Sequence, residues 1–306
     1  MKILIIGSGS IASKHIKAVQ SIDEKYSFYA LRHSINSIHH DGIHSIFNWK
    51  DVPKDIEFVL ISNPTHLHSK TIMDAVKLNK PLFIEKPPVS SLKEWKEVDD
   101  ALNLTQIHTY CGFVLRFHPL IEWLKRNINT RDVLEFHAYC GSYLPNWRKA
   151  LNYTESYSSK KNEGGGVHLD LIHEIDYIIW LFGKPITSKG FVKKISNLEI
   201  DSFDSAHYYL EYMNTIGTIT LNYFRKNPKR SLHLVLKNGA LTVDLIKNTI
   251  TDDKGDLVFS SKTKSADLMK KQMNYFIDCI RNKRNNMNRF GDTYDSMVTC
   301  LNVTEL

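Results

Sequence analysis

A glycine-rich turn stands almost at the start of the chain. Gly7-Ser8-Gly9-Ser10-Ile11-Ala12 has the spacing GxGxxA and directly follows the apolar run Lys2–Ile6. The first glycine makes a tight turn and the second lets the backbone approach a pyrophosphate, which then lies on the N-terminus of the helix that follows. Gly7, Gly9, Ser10, Ile11 and Ala12 are therefore candidate dinucleotide ligands, against the plainer reading of a glycine turn with no ligand. NAD-binding chains usually place an acid about 20 residues further on, at the end of the second strand, to bond the ribose 2′-hydroxyl. Here that segment is Ala30-Leu31-Arg32-His33-Ser34, with no carboxylate. Arg32 suits a 2′-phosphate and the adenine face, and Ser34 can donate to the same phosphate with His33 between them. NADP is favoured over NAD on this ground; a surface arginine at a strand end is the alternative.

Two further clusters carry chemistry. Ser62-Asn63-Pro64-Thr65-His66-Leu67-His68 and Leu82-Phe83-Ile84-Glu85-Lys86-Pro87-Pro88 each end an apolar run, where open α/β sheets bind ligands. Asn63, Pro64 and His68 are candidate cofactor contacts, although helix capping explains His68 as well. Glu85 and Lys86 fit poorly in a core at a strand end, which makes a role at the site plausible for both. Trp147 and Arg148 lie in a long polar stretch and together suit a sugar face and an anionic group. Arg116 and His118 suit either substrate contact or a hydrogen-bond network between domains.

The elements that must position these groups follow from periodicity. Strands are expected at Lys2–Ile6, 26–32, 56–62, 82–85 and 107–113, alternating with helices at Ser10–Gln20, 66–78 and 92–102. That alternation implies βαβ units and a parallel sheet. After about residue 116 the pattern changes. Segments 132–141, 206–212, 218–224, 231–237 and 240–246 read as strands of an antiparallel sheet, with Asn238-Gly239 as a hairpin turn. Helices are expected at 167–182 and 266–282, and 143–166 reads as one long functional loop. The fold class is α/β: an N-terminal doubly wound Rossmann domain over 1–118, and over 119–306 an α+β domain with a large, mostly antiparallel sheet for substrate binding and oligomerisation.

The motifs GSGSIASKH, NPTHLH, Glu85-Lys86-Pro87, Arg116-Phe117-His118-Pro119 and Gly164–Asp176 (GGGVHLDLIHEID) occur in this order, and together they resemble the Gfo/Idh/MocA family over nearly the whole chain. The resemblance implies NAD(P)-dependent oxidation or reduction of sugars, nucleotide sugars or polyols, at a site in the cleft between domains, and assembly as a homodimer or homotetramer. It implies that Lys86 contacts the substrate hydroxyl near the nicotinamide and that His173 exchanges the hydroxyl proton. Asp170 matches the acid one helical turn earlier. The commoner pattern separates that acid and the histidine by four residues, here by three. Asp176, at the next turn, is placed either to orient His173 or simply to pair with it, and His168 to line the substrate pocket. The Lys86–Pro87 bond is often cis in relatives. Elementary chemistry agrees: alcohol oxidation needs a hydride acceptor, a group for the hydroxyl proton and cationic support for the oxygen.

Composition bounds the alternatives. The chain has 306 residues, 42% hydrophobic and 24% charged, an ordinary globular make-up. Lys and Arg exceed Asp and Glu by 40 − 33 = 7. No zinc-finger, helix-turn-helix or RNP-like pattern accompanies that excess, so no nucleic-acid partner is expected. His39, His40 and His44 lack metal-site spacing, and no metal is expected. No run is long enough to span a membrane and no signal peptide opens the chain. The scattered cysteines Cys111, Cys140, Cys279 and Cys300 read as reduced thiols of a cytoplasmic protein. Two rival functions remain open: reduction of a non-sugar carbonyl, imine or tetrapyrrole, and a non-catalytic dinucleotide sensor.

Overall fold

The computed structural model describes residues 1–32, 42–148 and 152–306. In chain order its elements are β1 (Lys2–Ile6), α1 (Ser10–Gln20), β2 (Ser27–Leu31), β3 (Ile43–Ile46), β4 (Ile56–Ile61), α2 (His68–Val76), β5 (Leu82–Ile84), α3 (Leu92–Asn103), β6 (Thr109–Cys111), α4 (Pro119–Asn127), β7 (Val133–Tyr143), α5 (Val167–Asp170), α6 (His173–Phe182), β8 (Thr187–Lys193), β9 (Ser205–Glu211), β10 (Ile216–Asn222), β11 (Phe224–Leu236), β12 (Gly239–Asp244), β13 (Thr249–Asp252), β14 (Leu257–Ser260), α7 (Ser265–Arg281), α8 (Tyr294–Leu301) and β15 (Val303–Glu305). They form two compact units, one of residues 1–114 with 264–294, the other of residues 115–263 with 295–306.

The first unit is built on a six-stranded parallel sheet in the order β3-β2-β1-β4-β5-β6. This is the doubly wound order: all strands run parallel, and the direction in which the chain adds strands reverses between β1 and β4. The central strands are buried on both faces, so they read as continuous apolar runs rather than alternating ones. The stretch 264–294 returns to this unit, whereas the sequence reading assigned everything after residue 118 to one second domain. The cause is the apolar stripe of α7. Phe276 packs edge-on against Phe58 and Phe83, and Arg281 bonds Glu57 and the Tyr26 hydroxyl. That stripe needs a sheet to cover, and local periodicity does not say which one.

The second unit carries a nine-stranded sheet, β14-β13-β12-β11-β7-β10-β9-β8-β15. All neighbours are antiparallel except β7 with β10 and β8 with β15. Along β9 the side chains alternate, with Ala206, Tyr208 and Leu210 inward and His207, Tyr209 and Glu211 outward. The outward face carries the imidazoles of His137, His207 and His233 among threonines, together with the exposed Phe191, Tyr209 and Ile216. The β11–β12 hairpin pairs Leu236 with Gly239, so its turn is centred on 237–238 and only Gly239 takes a positive φ, +127°.

One expected element is broken. The single helix at 167–182 is two, α5 and α6, with Leu171 (φ −102°, ψ 27°) outside helical geometry. Among its described residues the expected loop 143–166 holds four short 3₁₀ turns, and Ser158 and Ser159 inside it are buried.

Candidate active site

In the first unit the glycine turn behaves as its spacing demands. Gly7 has φ +94°, and a Cβ there would stand 2.3 Å from the backbone nitrogen of Asn63. Only glycine fits this approach of the β1 turn to the β4 turn. Gly9 is different: its φ is −74° and nothing lies within 4 Å of a Cβ built on it. It is the N-cap of α1 and offers no capping side chain, and the first turn of α1 has no acid. By contrast α3 is capped by Ser91 and α4 by His118. The leading amides of α1, with an open space before them, fit a pyrophosphate. Ser10 and Ile11 are exposed or half-buried there, and Ala12 is buried beneath them. The residues present therefore fit a dinucleotide.

Arg32 lies one residue beyond β2, is 5% exposed and donates its backbone N–H to Ile46. His33 and Ser34, named with it as cofactor ligands, lie outside the described residues, as do His39 and His40. Asn63 follows β4; its amide nitrogen donates to Thr71, while its Oδ1 is buried without a hydrogen-bond partner among the described residues. Pro64 beside it is exposed.

Two expected cofactor contacts face inward instead. Glu85 is 7% exposed and receives His15 Nε2 at 2.5 Å, while its other oxygen accepts the backbone N–H of Lys86 at 3.1 Å. Burial opposes its ionisation, but the bond and charge of His15, then the charge of Lys86, outweigh that and hold the carboxyl below the usual range. His68 is 1% exposed, with Nδ1 2.9 Å from the Pro87 carbonyl and Nε2 2.8 Å from the Asn63 carbonyl. Desolvation lowers its pKa, against the pull of those carbonyls. Both side chains brace the loops and do not point outward, because a buried polar group must find a partner. Lys86 is half-buried after β5, and its bond to Pro87 is cis. Gly7, Asn63 and Lys86 follow three adjacent parallel strands, so they share the carboxyl edge of one sheet.

In the second unit, His173 is the first residue of α6 and is half-buried, while every other residue from 171 to 179 is buried. Asp170 ends α5. Its carboxylate accepts the Tyr223 hydroxyl at 2.6 Å and is also bonded by Tyr157. The adjacent carboxylate raises the pKa of Tyr157, with burial adding to it. Asp176 does not orient His173. It forms a bidentate pair with Arg116, at 2.9 and 2.7 Å, and burial raises its pKa against that cation's pull. Arg116 is therefore held inside its own unit, 5% exposed and over the Trp180 ring, rather than presented to substrate. His118 caps α4 through Nδ1. His168 is 6% exposed, its ring tilted against that of Phe203, and pushed by burial down to about 4, an interior neutral imidazole rather than a pocket wall. Trp147 donates to Ser142 and meets Tyr223 edge-on, and Arg148 lies over the Tyr157 ring. The loop pair thus packs onto the tyrosines that hold Asp170.

Sequence reasoning missed Tyr157, Tyr223 and His15. A histidine on the buried stripe of α1, with Ala12, Ala18 and Val19, was a usable signal, since it demands a buried partner. The tyrosines carried none, because their partner is set by long-range packing.

A glycine turn at the switch point of a doubly wound sheet, with a lysine on the same edge, is the arrangement of the dinucleotide-binding class. Residues 1–112 match the oxidoreductase family with an NAD-binding Rossmann fold, and residues 132–242 match the GFO/IDH/MocA C-terminal domain. The chain belongs to the Gfo/Idh/MocA family. It is 24% identical over 258 residues to scyllo-inositol 2-dehydrogenase (NAD(+)) of Bacillus subtilis, covering 78% of this chain and 73% of that protein. It is 26% identical over 204 residues to glucose-6-phosphate 3-dehydrogenase of the same organism, covering 64% of this chain and 57% of that one. Its fold matches levoglucosan dehydrogenase in complex with NADH at TM-score 0.85, with 16% identity and 98% and 95% of the two chains covered. It also matches UDP-N-acetylglucosamine 3-dehydrogenase from Acidithiobacillus ferrooxidans at TM-score 0.78, with 16% identity and 99% and 96% covered. Among the described residues, no group of three or more His, Cys, Asp or Glu is placed to hold a metal, and no helix is long and apolar enough to cross a membrane.

Proposed function

We propose that this protein transfers a hydride between NADP(H), with NAD(H) as the lesser partner, and a secondary alcohol or ketone on a sugar, nucleotide sugar or polyol. The observation that carries this reading is the placement of Lys86, half-buried on the carboxyl edge that also bears the Gly7–Asn63 contact. The relatives named above, which act on an inositol and a sugar phosphate, support the substrate class. The absent carboxylate at Arg32 supports NADP.

The turn from Gly7 to Ala12 and the amides of α1 would hold the pyrophosphate. The bound nicotinamide supplies the hydride acceptor or donor. Lys86 supports the substrate oxygen as negative charge develops on it. His173 takes the hydroxyl proton on oxidation and returns it on reduction, a task suited to an imidazole. Asp170 holds its part of the second unit through Tyr157 and Tyr223. We read the protein as a cytoplasmic homo-oligomer; the exposed Phe191, Tyr209 and Ile216 on the outer sheet face support assembly through that face.

The test is a panel of sugars, nucleotide sugars and polyols, followed by cofactor absorbance. Turnover should appear with at least one of them, and Lys86→Ala and His173→Ala should each lower it about 10²–10⁴-fold while cofactor binding persists. Cofactor binding without turnover on any of these alcohols or ketones would instead support a sensor.

A further inference from the structure

The groups around Lys86 form a closed circuit of contacts inside the first unit. Gly7 abuts the backbone of Asn63, whose carbonyl meets His68 Nε2; His68 Nδ1 meets the carbonyl of Pro87. On the other side of Lys86, Glu85 is bonded by His15 of α1, the helix that the Gly7–Ala12 turn opens. The ring of His15 also packs edge-on against Phe83, two residues before Glu85. A Cβ on Gly112, just beyond β6, would lie 3.1 Å from Glu85 Oε1, so that edge leaves room for the carboxylate and little more. Both histidines are essentially without solvent exposure, so no water competes for their bonds.

Each contact has one chemical sense. An ionised carboxylate only accepts, so His15 Nε2 carries the proton toward Glu85. Carbonyls also only accept, and a neutral His68 donates its single N–H to one of the two it faces. Removing His15 leaves the buried Glu85 carboxylate without this donor beside Lys86, and removing His68 takes the donor from whichever carbonyl it bonds, that of Pro87 or that of Asn63.

We propose that His15 and His68 are positioning residues that hold the Glu85–Pro87 segment from its two sides, acting through Glu85 and Pro87, and so set where the Lys86 ammonium stands relative to the dinucleotide turn. The proposal rests on the reading of Lys86 as the group that supports the substrate oxygen. A displacement of the order of 1 Å at such a group costs about 10²-fold in rate.

The test compares His15→Leu and His68→Leu with His15→Gln and His68→Gln in the full chain. The leucine variants should lose at least about 20-fold in kcat, with substrate KM and NAD(P)H Kd moving less than about threefold. The glutamines, which keep an N–H donor, should recover most of that loss. A second readout needs no cofactor. Acetylation of Lys86 in the free protein, followed by mass spectrometry against the exposed Lys93, should speed up at least about threefold in the leucine variants as the segment loosens. Should a leucine variant not fold, Glu85→Gln reads the same circuit, with lower kcat and faster Lys86 labelling expected. Parent-like kcat and labelling, or a fall in Tm with neither changed, would overturn the proposal. Lys86→Ala separates the two readings. If it turns over like the parent, the catalytic role of Lys86 fails, and the labelling still decides whether the circuit holds that segment.

Discussion

Tyr223 donates its hydroxyl proton to Oδ2 of Asp170 across 2.6 Å, with both side chains buried. Tyr157 bonds the same carboxylate. Asp170 closes one short helix, and His173 opens the next, so the two do not share the continuous helical face that a three-residue spacing suggests. The carboxylate is thus an anchor for the break between α5 and α6, and through it for the start of the helix that presents His173. Asp170→Asn keeps the shape and one acceptor, so kcat should fall only about tenfold, well short of the loss in His173→Ala. Tyr223→Phe should lower stability by about 1–2 kcal/mol. Steady-state kinetics and thermal melts on the three variants check both figures; a loss in Asp170→Asn as large as in His173→Ala would make Asp170 a direct participant.

Arg32 is expected to decide between the two cofactors. It occupies the strand end where NAD enzymes carry an acid, and its cation suits a 2′-phosphate. Arg32→Ala should weaken NADPH by about 1.5–3 kcal/mol and leave NADH nearly unchanged. Fluorescence titration with both nucleotides measures this, and equal affinity of the parent for the two removes the idea.

The parts of this molecule that local pattern determines were readable in advance. The run Lys2–Ile6, the turn Gly7–Ala12 and the helix Ser10–Gln20 lie where their spacing puts them, because the turn chemistry and the apolar period act over a few residues. The inward turn of Glu85 and His68 was not readable, since each is decided by a partner 70 or 19 positions away. The same holds for Arg116, where Asp176 sits 60 residues on. A charged residue at a strand end looks alike whether it faces a ligand or a buried histidine. Helix α7 was read as a helix but not as part of the first unit, because its stripe fits any apolar sheet face.

Acid should destabilise the second unit through its interior histidines. Burial, opposed by the bond of Asn248 and helped by the charge of Arg230, lowers His118 to about 4, and burial, opposed by Asp170 and helped by Lys161, lowers His168 to about 4. A depressed histidine pKa means that the unfolded chain takes up protons first as pH falls. The stability is therefore whole above about pH 6.5 and is lost progressively as pH falls from there toward about 4. His118 contributes about 1–2 kcal/mol of that loss between pH 6.5 and 5. His118→Asn keeps an acceptor for the Leu120 amide and removes the titration. Its Tm should match the parent's to about 2 °C at pH 7.5 and fall less steeply below pH 6.5. Parallel Tm–pH curves for the two proteins would place the acid sensitivity elsewhere.

The two glycines of the turn separate a folding requirement from a ligand requirement. Gly7 needs a positive φ and has no room for a Cβ against Asn63, so Gly7→Ala must push the β1 and β4 turns apart. That variant should lose stability, cofactor binding and turnover together. Gly9 has an ordinary φ of −74° and open space where its Cβ would lie. Gly9→Ala asks nothing new of the fold, and its Tm should stay within about 2 °C of the parent. The added methyl would nevertheless occupy the approach to the uncapped amides of α1, which is where a pyrophosphate must come closest. NAD(P)H Kd should therefore rise at least about tenfold in Gly9→Ala, about 1.4 kcal/mol, with the protein otherwise intact. Fluorescence titration beside a thermal melt reads both arms. Gly9→Ala with parent affinity would mean that the dinucleotide does not use this turn, whatever Gly7→Ala does to the fold.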